Sequence, residues 1–282
     1  MGNTYLILGA SSEVGMAYIE KLKNNTDPKT IIACYRTESD AFKAVCGSFG
    51  NKQEQTCGQI GENMQEQNCG KFDENGQDTA TGQTGNTKII KKQVDLANPV
   101  SVKAMAEGLV AEGVCPTHIL HLAASNYDFM KIKKWDGTKA RKDMEVTYFS
   151  FAEICSAFLP LMSKAGYGKV VAVLSSVTLG VPPKFMSHYT ACKYALLGYL
   201  KGAAAEYAGK GININGISPG MMDTKFLSAV DERILEMTKE NSHMQRLCEV
   251  GETVAAIEFL MSDAASYMNG ANLNLSGGEY MP

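Results

Sequence analysis

Tyr189-Thr190-Ala191-Cys192-Lys193 lies in a stretch of helical spacing. On a helix, residues i and i+4 share one face, a single turn apart. A lysine ammonium beside a tyrosine hydroxyl favours the phenolate. It therefore lowers the tyrosine pKa toward the range of a working proton donor. Thirteen residues upstream, Ser176 ends an apolar run, VVAVLSS, that reads as a buried strand. A serine at a strand's carboxyl end stands where open α/β sheets bind their ligands. A tyrosine–lysine pair alone is common and structural, so its meaning depends on what surrounds it.

The surroundings include a second constellation. Gly9-Ala10-Ser11-Ser12-Glu13-Val14-Gly15 follows the first apolar run and opens a helical pattern. Gly9 permits a sharp turn and Gly15 permits close helix packing. The free N–H groups at the start of the helix can hold a pyrophosphate. Lys193 can then hydrogen-bond the ribose of a nicotinamide cofactor. At the end of the second strand stands Tyr35-Arg36 rather than Asp or Glu. An acidic residue there would hold the 2′-hydroxyl of NAD, whereas arginine suits the 2′-phosphate of NADP. Arg36 also reads as a solvated charge at a strand end. Asp95, after the third strand, either caps the next helix or touches adenine.

These residues need a frame. Apolar strand-like runs occur at 4–9, 30–35, 88–94, 117–123, 168–175, 211–217 and 271–275. Helical patterns occupy 13–24, a start near Ser39-Asp40, 99–111, 136–163, 186–208, 226–238 and 250–262. Buried strands alternating with amphipathic helices predict a parallel sheet covered on both faces. The expected fold class is α/β: a doubly wound, Rossmann-type sheet of seven parallel strands in a single domain spanning 1–282.

Segment 46–87 breaks this pattern. Gly, Gln and Asn supply 20 of its 42 residues. Three Cys-Gly-x-apolar units begin at Cys46, Cys57 and Cys69. Such a stretch buries too little apolar surface to offset its ordering entropy, which predicts a flexible surface insertion. A three-thiolate metal or redox site there lacks a fourth ligand and close pair spacing, so no metal is expected.

The chain has 282 residues, a net charge of −3 and 45% hydrophobic residues. That composition excludes a disulfide scaffold and a wholly disordered chain. It offers no basic excess for nucleic acid or an anionic membrane. No secretory signal opens the sequence, and no apolar run reaches membrane-spanning length. The eight cysteines form no C-x-x-C pair and read as free thiols of a reducing cytosol. The expected location is cytoplasmic.

From Tyr5 to about Met281, with segment 46–87 interrupting, the sequence resembles the short-chain dehydrogenase/reductases. Gly9-x-x-x-Glu13-x-Gly15 is similar to the family's G-x-x-x-G-x-G, with the middle glycine replaced. Ser176, Tyr189 and Lys193 match its catalytic serine, tyrosine and lysine. Asn215 to Thr224 is similar to its N-x-x-x-P-G-x-x-x-T segment, and Phe259 to Gly278 to its F-L-x-S-D…G…G-G ending. The resemblance implies that Tyr189 protonates a carbonyl oxygen as hydride arrives from the nicotinamide. Ser176 would bond the same oxygen, while Lys193 lowers the tyrosine pKa and holds the ribose. Cofactor contacts are implied at Gly9, Ser11, Ser12, Glu13, Val14, Gly15, Arg36, Asp95, Leu96, Ala123, Tyr189, Lys193, Pro219, Gly220, Met222 and Thr224.

Two departures stand out. The family's N-N-A-G is here His121-Leu122-Ala123-Ala124, and its catalytic asparagine, which supports a water-linked proton relay, falls at Thr147. Glu13 adds a negative charge near a diphosphate. His121 reads either as an acid/base group or as a hydrogen-bonded residue of the sheet edge. Residues 221–250, with Phe226, Leu227, Ile234, Leu235 and Met237 on helical spacing, are expected to cover the substrate.

The wording of the C-terminal part most resembles bacterial 3-oxoacyl-acyl-carrier-protein reductases of fatty acid biosynthesis. The expectation is a carbonyl reductase that favours NADP(H) over NAD(H), with a small-molecule or acyl-thioester carbonyl substrate. Two alternatives stay open: an NAD-linked alcohol or sugar dehydrogenase, and a cofactor-binding protein with weak catalysis. By resemblance the helices 136–163 and 186–208 form a dimer face, and the chain a homodimer or homotetramer.

Overall fold

A computed structural model of the chain describes residues 2–47, 81–84, 86–125, 129–228 and 230–281. In chain order the elements are β1 (Asn3–Leu8), α1 (Glu13–Lys23), β2 (Lys29–Tyr35), α2 (Asp40–Cys46), β3 (Thr81–Thr84), β4 (Thr87–Gln93), α3 (Pro99–Ala111) and β5 (His118–His121). They continue with α4 (Gly137–Met144), α5 (Ser150–Ala165), β6 (Gly168–Val173), α6 (Ser187–Glu206), β7 (Ile212–Pro219), α7 (Glu232–Asn241), α8 (Val250–Met261) and β8 (Asn272–Leu275).

The strands form one sheet in the order β3-β4-β2-β1-β5-β6-β7-β8. Seven of them run parallel, as the pattern of apolar runs predicts. Leu8 of β1 is in register with Cys34 of β2 on one side and His121 of β5 on the other. The chain therefore leaves β1 in one direction for β2 and later returns to its other side. Where two crossovers diverge, a crevice opens at the carboxyl edge of the sheet.

Both faces of the sheet are apolar because both are covered. Leu6, Leu8, Ile119 and Val170 pack under α3, α5 and α6, with Phe151, Ile154 and Phe158 fully buried among them. Ile7, Ile31, Leu120 and Val171 pack under α1, α2 and α8. Successive strand residues point to opposite faces, so the runs lose the polar alternation of a one-sided sheet.

Three departures from the expected elements have local causes. Thr81–Thr84 adds an eighth strand, antiparallel to the start of β4, inside what composition marks as an insertion. Cys46, expected to open the insertion, instead closes α2 and is buried. Cys57 and Cys69 lie outside the described residues. The helix expected over 226–238 begins only at Glu232, because Asp231 caps it by accepting from the Arg233 amide at 2.9 Å.

Gly137–Ala165 is one continuous helical stretch, with a π-helical turn at Glu145–Phe149 between α4 and α5. Its length and apolarity would suffice to cross a bilayer. Here its apolar side chains Phe151, Ile154, Phe158 and Met162 are buried in the core instead. The buried thiols are pushed up by desolvation, Cys34 to about 12 and Cys46 and Cys192 to about 11, so they stay protonated and unreactive.

Candidate active site

The phosphate-loop sequence folds into a turn and a cap. β1 ends at Leu8, and the amides of Gly9 and Ala10 both donate to the Cys34 carbonyl, at 3.2 and 2.9 Å. Gly9 has φ +83°, a left-handed conformation that costs a side chain strain. Ser12 caps α1: its Oγ accepts from the Gly15 amide at 3.1 Å and donates to the Gly9 carbonyl at 2.8 Å. A Cβ on Gly15 would stand 2.6 Å from the Ala10 carbonyl oxygen, so only glycine lets the helix approach the loop this closely. Ser12→Ala is expected to destabilise the chain by about 0.5–2 kcal/mol in urea unfolding.

A cleft of about 630 Å³ runs along the carboxyl edge from this loop. Its wall holds Ser11, Ser12, Glu13 and Val14 at one end and Ser175, Ser176, Tyr189 and Lys193 at the other. Pro219, Gly220, Met222 and Thr224 after β7 complete it. The sequence thus named residues from four separate elements that the fold brings to one cavity.

Tyr189 and Lys193 lie one turn apart on α6. Lys193 Nζ donates to the Val173 carbonyl at the end of β6, at 2.8 Å, and stands 5.8 Å from the centroid of the Tyr189 ring. Burial lowers the Lys193 ammonium to about 8. Burial likewise pushes the Tyr189 hydroxyl up to about 12, and a hydrogen bond with the Ser175 side chain pulls it only part of the way back. The expected lowering of the tyrosine by its lysine is therefore not what this structure shows: desolvation dominates, and the lysine ammonium is turned to the Val173 carbonyl.

Ser175 was missed in the sequence because Ser175 and Ser176 are adjacent and both polar at a strand end. Both line the cleft, but it is Ser175 whose hydroxyl bonds Tyr189. A buried network holds this turn. Thr178 Oγ1 donates to the Ser175 carbonyl at 2.9 Å and lies 2.9 Å from Ser218 Oγ, which donates to Asn272 Oδ1 at 2.7 Å. Lys225, Phe226 and Leu227, from the segment expected to cover the substrate, line the cleft, and so do Glu279 and Tyr280, which sequence spacing did not mark as site residues.

Seven predicted residues lie outside the cleft wall: Gly9 and Gly15, which shape the loop behind it, and Arg36, Asp95, Leu96, Ala123 and Thr147. Arg36 is exposed just past the end of β2, and among the described residues its side chain has no hydrogen-bond or ion-pair partner. Asp95 accepts from the Ala97 amide at 3.0 Å in the turn ahead of α3 and does not cap that helix, because Asn98 accepts from its first amides instead. Leu96 packs under α3 in the core and lines a separate groove with Glu145, Phe149 and Tyr199. Ala123 lies against Gly9, whose added Cβ would come 3.0 Å from the Ala123 amide.

Thr147 is buried in the π-helical turn, and its backbone oxygen is 2.9 Å from His121 Nε2. His121 is fully buried, its ring against Phe151, and burial lowers its pKa to about 3. At neutral pH it is an uncharged donor to the Thr147 carbonyl. That favours the hydrogen-bonded sheet-edge reading over an acid/base role.

The residues present suit a dinucleotide. The glycine cradle and capped start of α1 offer N–H groups to a diphosphate, and the Tyr–Lys pair faces the far end of the same cleft. A parallel sheet with these features defines a dinucleotide-dependent oxidoreductase. The model of the family described as enoyl-(acyl carrier protein) reductase matches residues 70–279. Galactitol 2-dehydrogenase (L-tagatose-forming) of Cereibacter sphaeroides is 31% identical over 71% of this chain and 80% of its own. The 3-oxoacyl-acyl-carrier-protein reductase of Vibrio cholerae is 28% identical over 67% of this chain and 76% of its own. A gluconate 5-dehydrogenase from Burkholderia cenocepacia, solved in complex with NADP and tartrate, superposes with a TM-score of 0.75 at 20% identity. That alignment covers 99% of this chain and 95% of the other. The chain belongs to the short-chain dehydrogenase/reductase family and is an NAD(P)-dependent oxidoreductase.

Proposed function

We propose that the protein is an NADPH-dependent carbonyl reductase that delivers hydride to a ketone, with a 3-oxoacyl thioester-like substrate favoured. The observation that carries this reading is the Tyr189 hydroxyl. Pushed up to about 12 and bonded to Ser175 at the cleft wall, it holds its proton across the neutral range. A group in that state donates a proton as negative charge develops on a carbonyl oxygen. A bound nicotinamide cofactor supplies the hydride. Tyr189 supplies the proton, and Ser175 and Ser176 offer hydroxyls at the same wall. Lys193, anchored on the Val173 carbonyl, keeps a positive charge beside the tyrosine below about pH 8.

The position of Arg36 supports the choice of NADPH, since a guanidinium that has no partner among the described residues suits a 2′-phosphate. Arg36→Ala is expected to raise the Kd for NADPH by about tenfold or more and to change that for NADH less than about threefold, measured by fluorescence titration. A wild-type protein that binds NADH more tightly than NADPH refutes this cofactor assignment.

Substrate class is tested by turnover of acetoacetyl-CoA against a panel of ketones and ketoses with NADPH. The likeness to a galactitol dehydrogenase supports a second reading, an NAD-linked polyol dehydrogenase. Faster turnover of polyols with NAD than of acetoacetyl-CoA with NADPH would establish that alternative.

A further inference from the structure

The replacement of a loop glycine by Glu13 has a structural counterpart at the far end of the sequence. Glu13 opens α1 immediately after its cap, Ser12. Its Oε2 accepts a hydrogen bond from the backbone amide of Lys225 at 3.0 Å, across 212 residues of sequence. Lys225 begins the 3-10 turn Lys225–Leu227, which has no side-chain cap of its own. The first amides of such a turn lack internal partners and need an acceptor from elsewhere. Glu13 supplies one through a side-chain carboxylate oxygen, and a bond to a carboxylate is charge-assisted.

The next residue ties the turn to the reacting end of the cleft. Phe226 packs against the cluster of Val177, Met186 and Tyr189, and Leu227 is buried. Glu13, Lys225, Phe226 and Leu227 all line the cleft with Tyr189. One short turn is thus held by the phosphate loop on one side and by the wall around the proton donor on the other. An acidic residue in a helix's first turn serves the helix dipole without reaching another element. The contact with Lys225 goes beyond that role.

From these contacts we infer that Glu13 is a positioning residue, a latch that fixes the 225–227 turn and through Phe226 shapes the cleft wall beside Tyr189. The latch joins the cofactor end of the cleft to its substrate end. It also accounts for a carboxylate in a phosphate loop, because its oxygen is engaged by the turn. The kinetic consequence rests on the proposed carbonyl reduction, whereas the latch itself does not.

The test separates the hydrogen bond from the charge with two variants of the full chain, compared by hydrogen exchange at the Lys225 amide. Glu13→Ala removes the acceptor and is expected to speed exchange there by about tenfold or more, as loss of a charge-assisted bond implies. Glu13→Gln keeps an acceptor oxygen without the charge and is expected to restore most of the protection. With acetoacetyl-CoA and NADPH, Glu13→Ala is expected to raise the substrate KM about fivefold or more while kcat changes less than about threefold. Unchanged Lys225 exchange in Glu13→Ala overturns the latch whatever the substrate proves to be. Glutamine failing like alanine in a folded variant overturns the hydrogen-bond basis. Faster exchange with an unchanged KM overturns the positioning role.

Discussion

Tyr189→Phe is expected to lower kcat by about 10²–10⁴-fold, the usual contribution of a positioned general acid. The substitution removes one oxygen and keeps the ring. That ring packs with Val177 and Met186, and phenylalanine fills the same volume, so the fold and the cleft persist. Lys193 also keeps its anchor, since its bond is to the Val173 carbonyl and not to the tyrosine. The Kd for NADPH is therefore expected to stay within about threefold of wild type while single-turnover reduction collapses. The pH dependence adds an independent check. Tyr189 near 12 remains a donor over the whole working range, whereas Lys193 near 8 loses its charge above that value. If that charge assists the donor, reduction slows as pH rises through about 8, and the slowing reports the lysine rather than the tyrosine. A phenylalanine variant with near-normal turnover refutes Tyr189 as the proton source.

The second large effect concerns stability in acid. His118 and His121, at the two ends of β5, are both buried, and burial lowers them to about 4 and about 3. His118 Nε2 lies 3.2 Å from the Met261 carbonyl, and its ring stacks on Tyr5 with centroids 4.3 Å apart. His121 Nε2 reaches the Thr147 carbonyl. Both rings are neutral in the fold, yet in the unfolded chain each takes up a proton below about pH 6.5. Folded pKa values below the unfolded one give a contribution that is complete above 6.5 and is lost as pH falls. The slope is about 1.4 kcal/mol per pH unit for each ring. Between pH 6.5 and 4.5 the two together are expected to cost about 5 kcal/mol, comparable with the whole stability of many domains. Urea unfolding at the two pH values measures it directly. A difference below about 1 kcal/mol contradicts the assignment of both rings as buried and neutral.

His121 also ties the end of β5 to a helix. Inside a core, a ring N–H that faces a backbone carbonyl gains a hydrogen bond. Thr147 sits in the π-helical turn and His121 stands opposite it on β5. Spacing alone gave no hint that the two residues meet, because one ends a strand and the other lies mid-helix.

What the sequence determined by itself was local or periodic. The i, i+4 placement of Tyr189 and Lys193, the strand–glycine turn–helix around Gly9 and Gly15, and the all-apolar strands of a twice-covered sheet follow from short-range geometry. Each was legible without knowing where the rest of the chain lies. Only the tertiary structure decided the rest. Two adjacent serines follow the same strand, and in the turn bonded to Thr178 and Ser218 it is Ser175 that bonds the tyrosine. The tyrosine pKa rose where local reasoning lowered it, because burial is a property of the packed molecule and here dominates the hydroxyl. The edge strand Thr81–Thr84 hides in a polar composition, since strand pairing at an edge asks little of side-chain apolarity. The partner of Glu13 lies 212 residues away, a pairing set by the crossing of the sheet and not by any spacing in the chain.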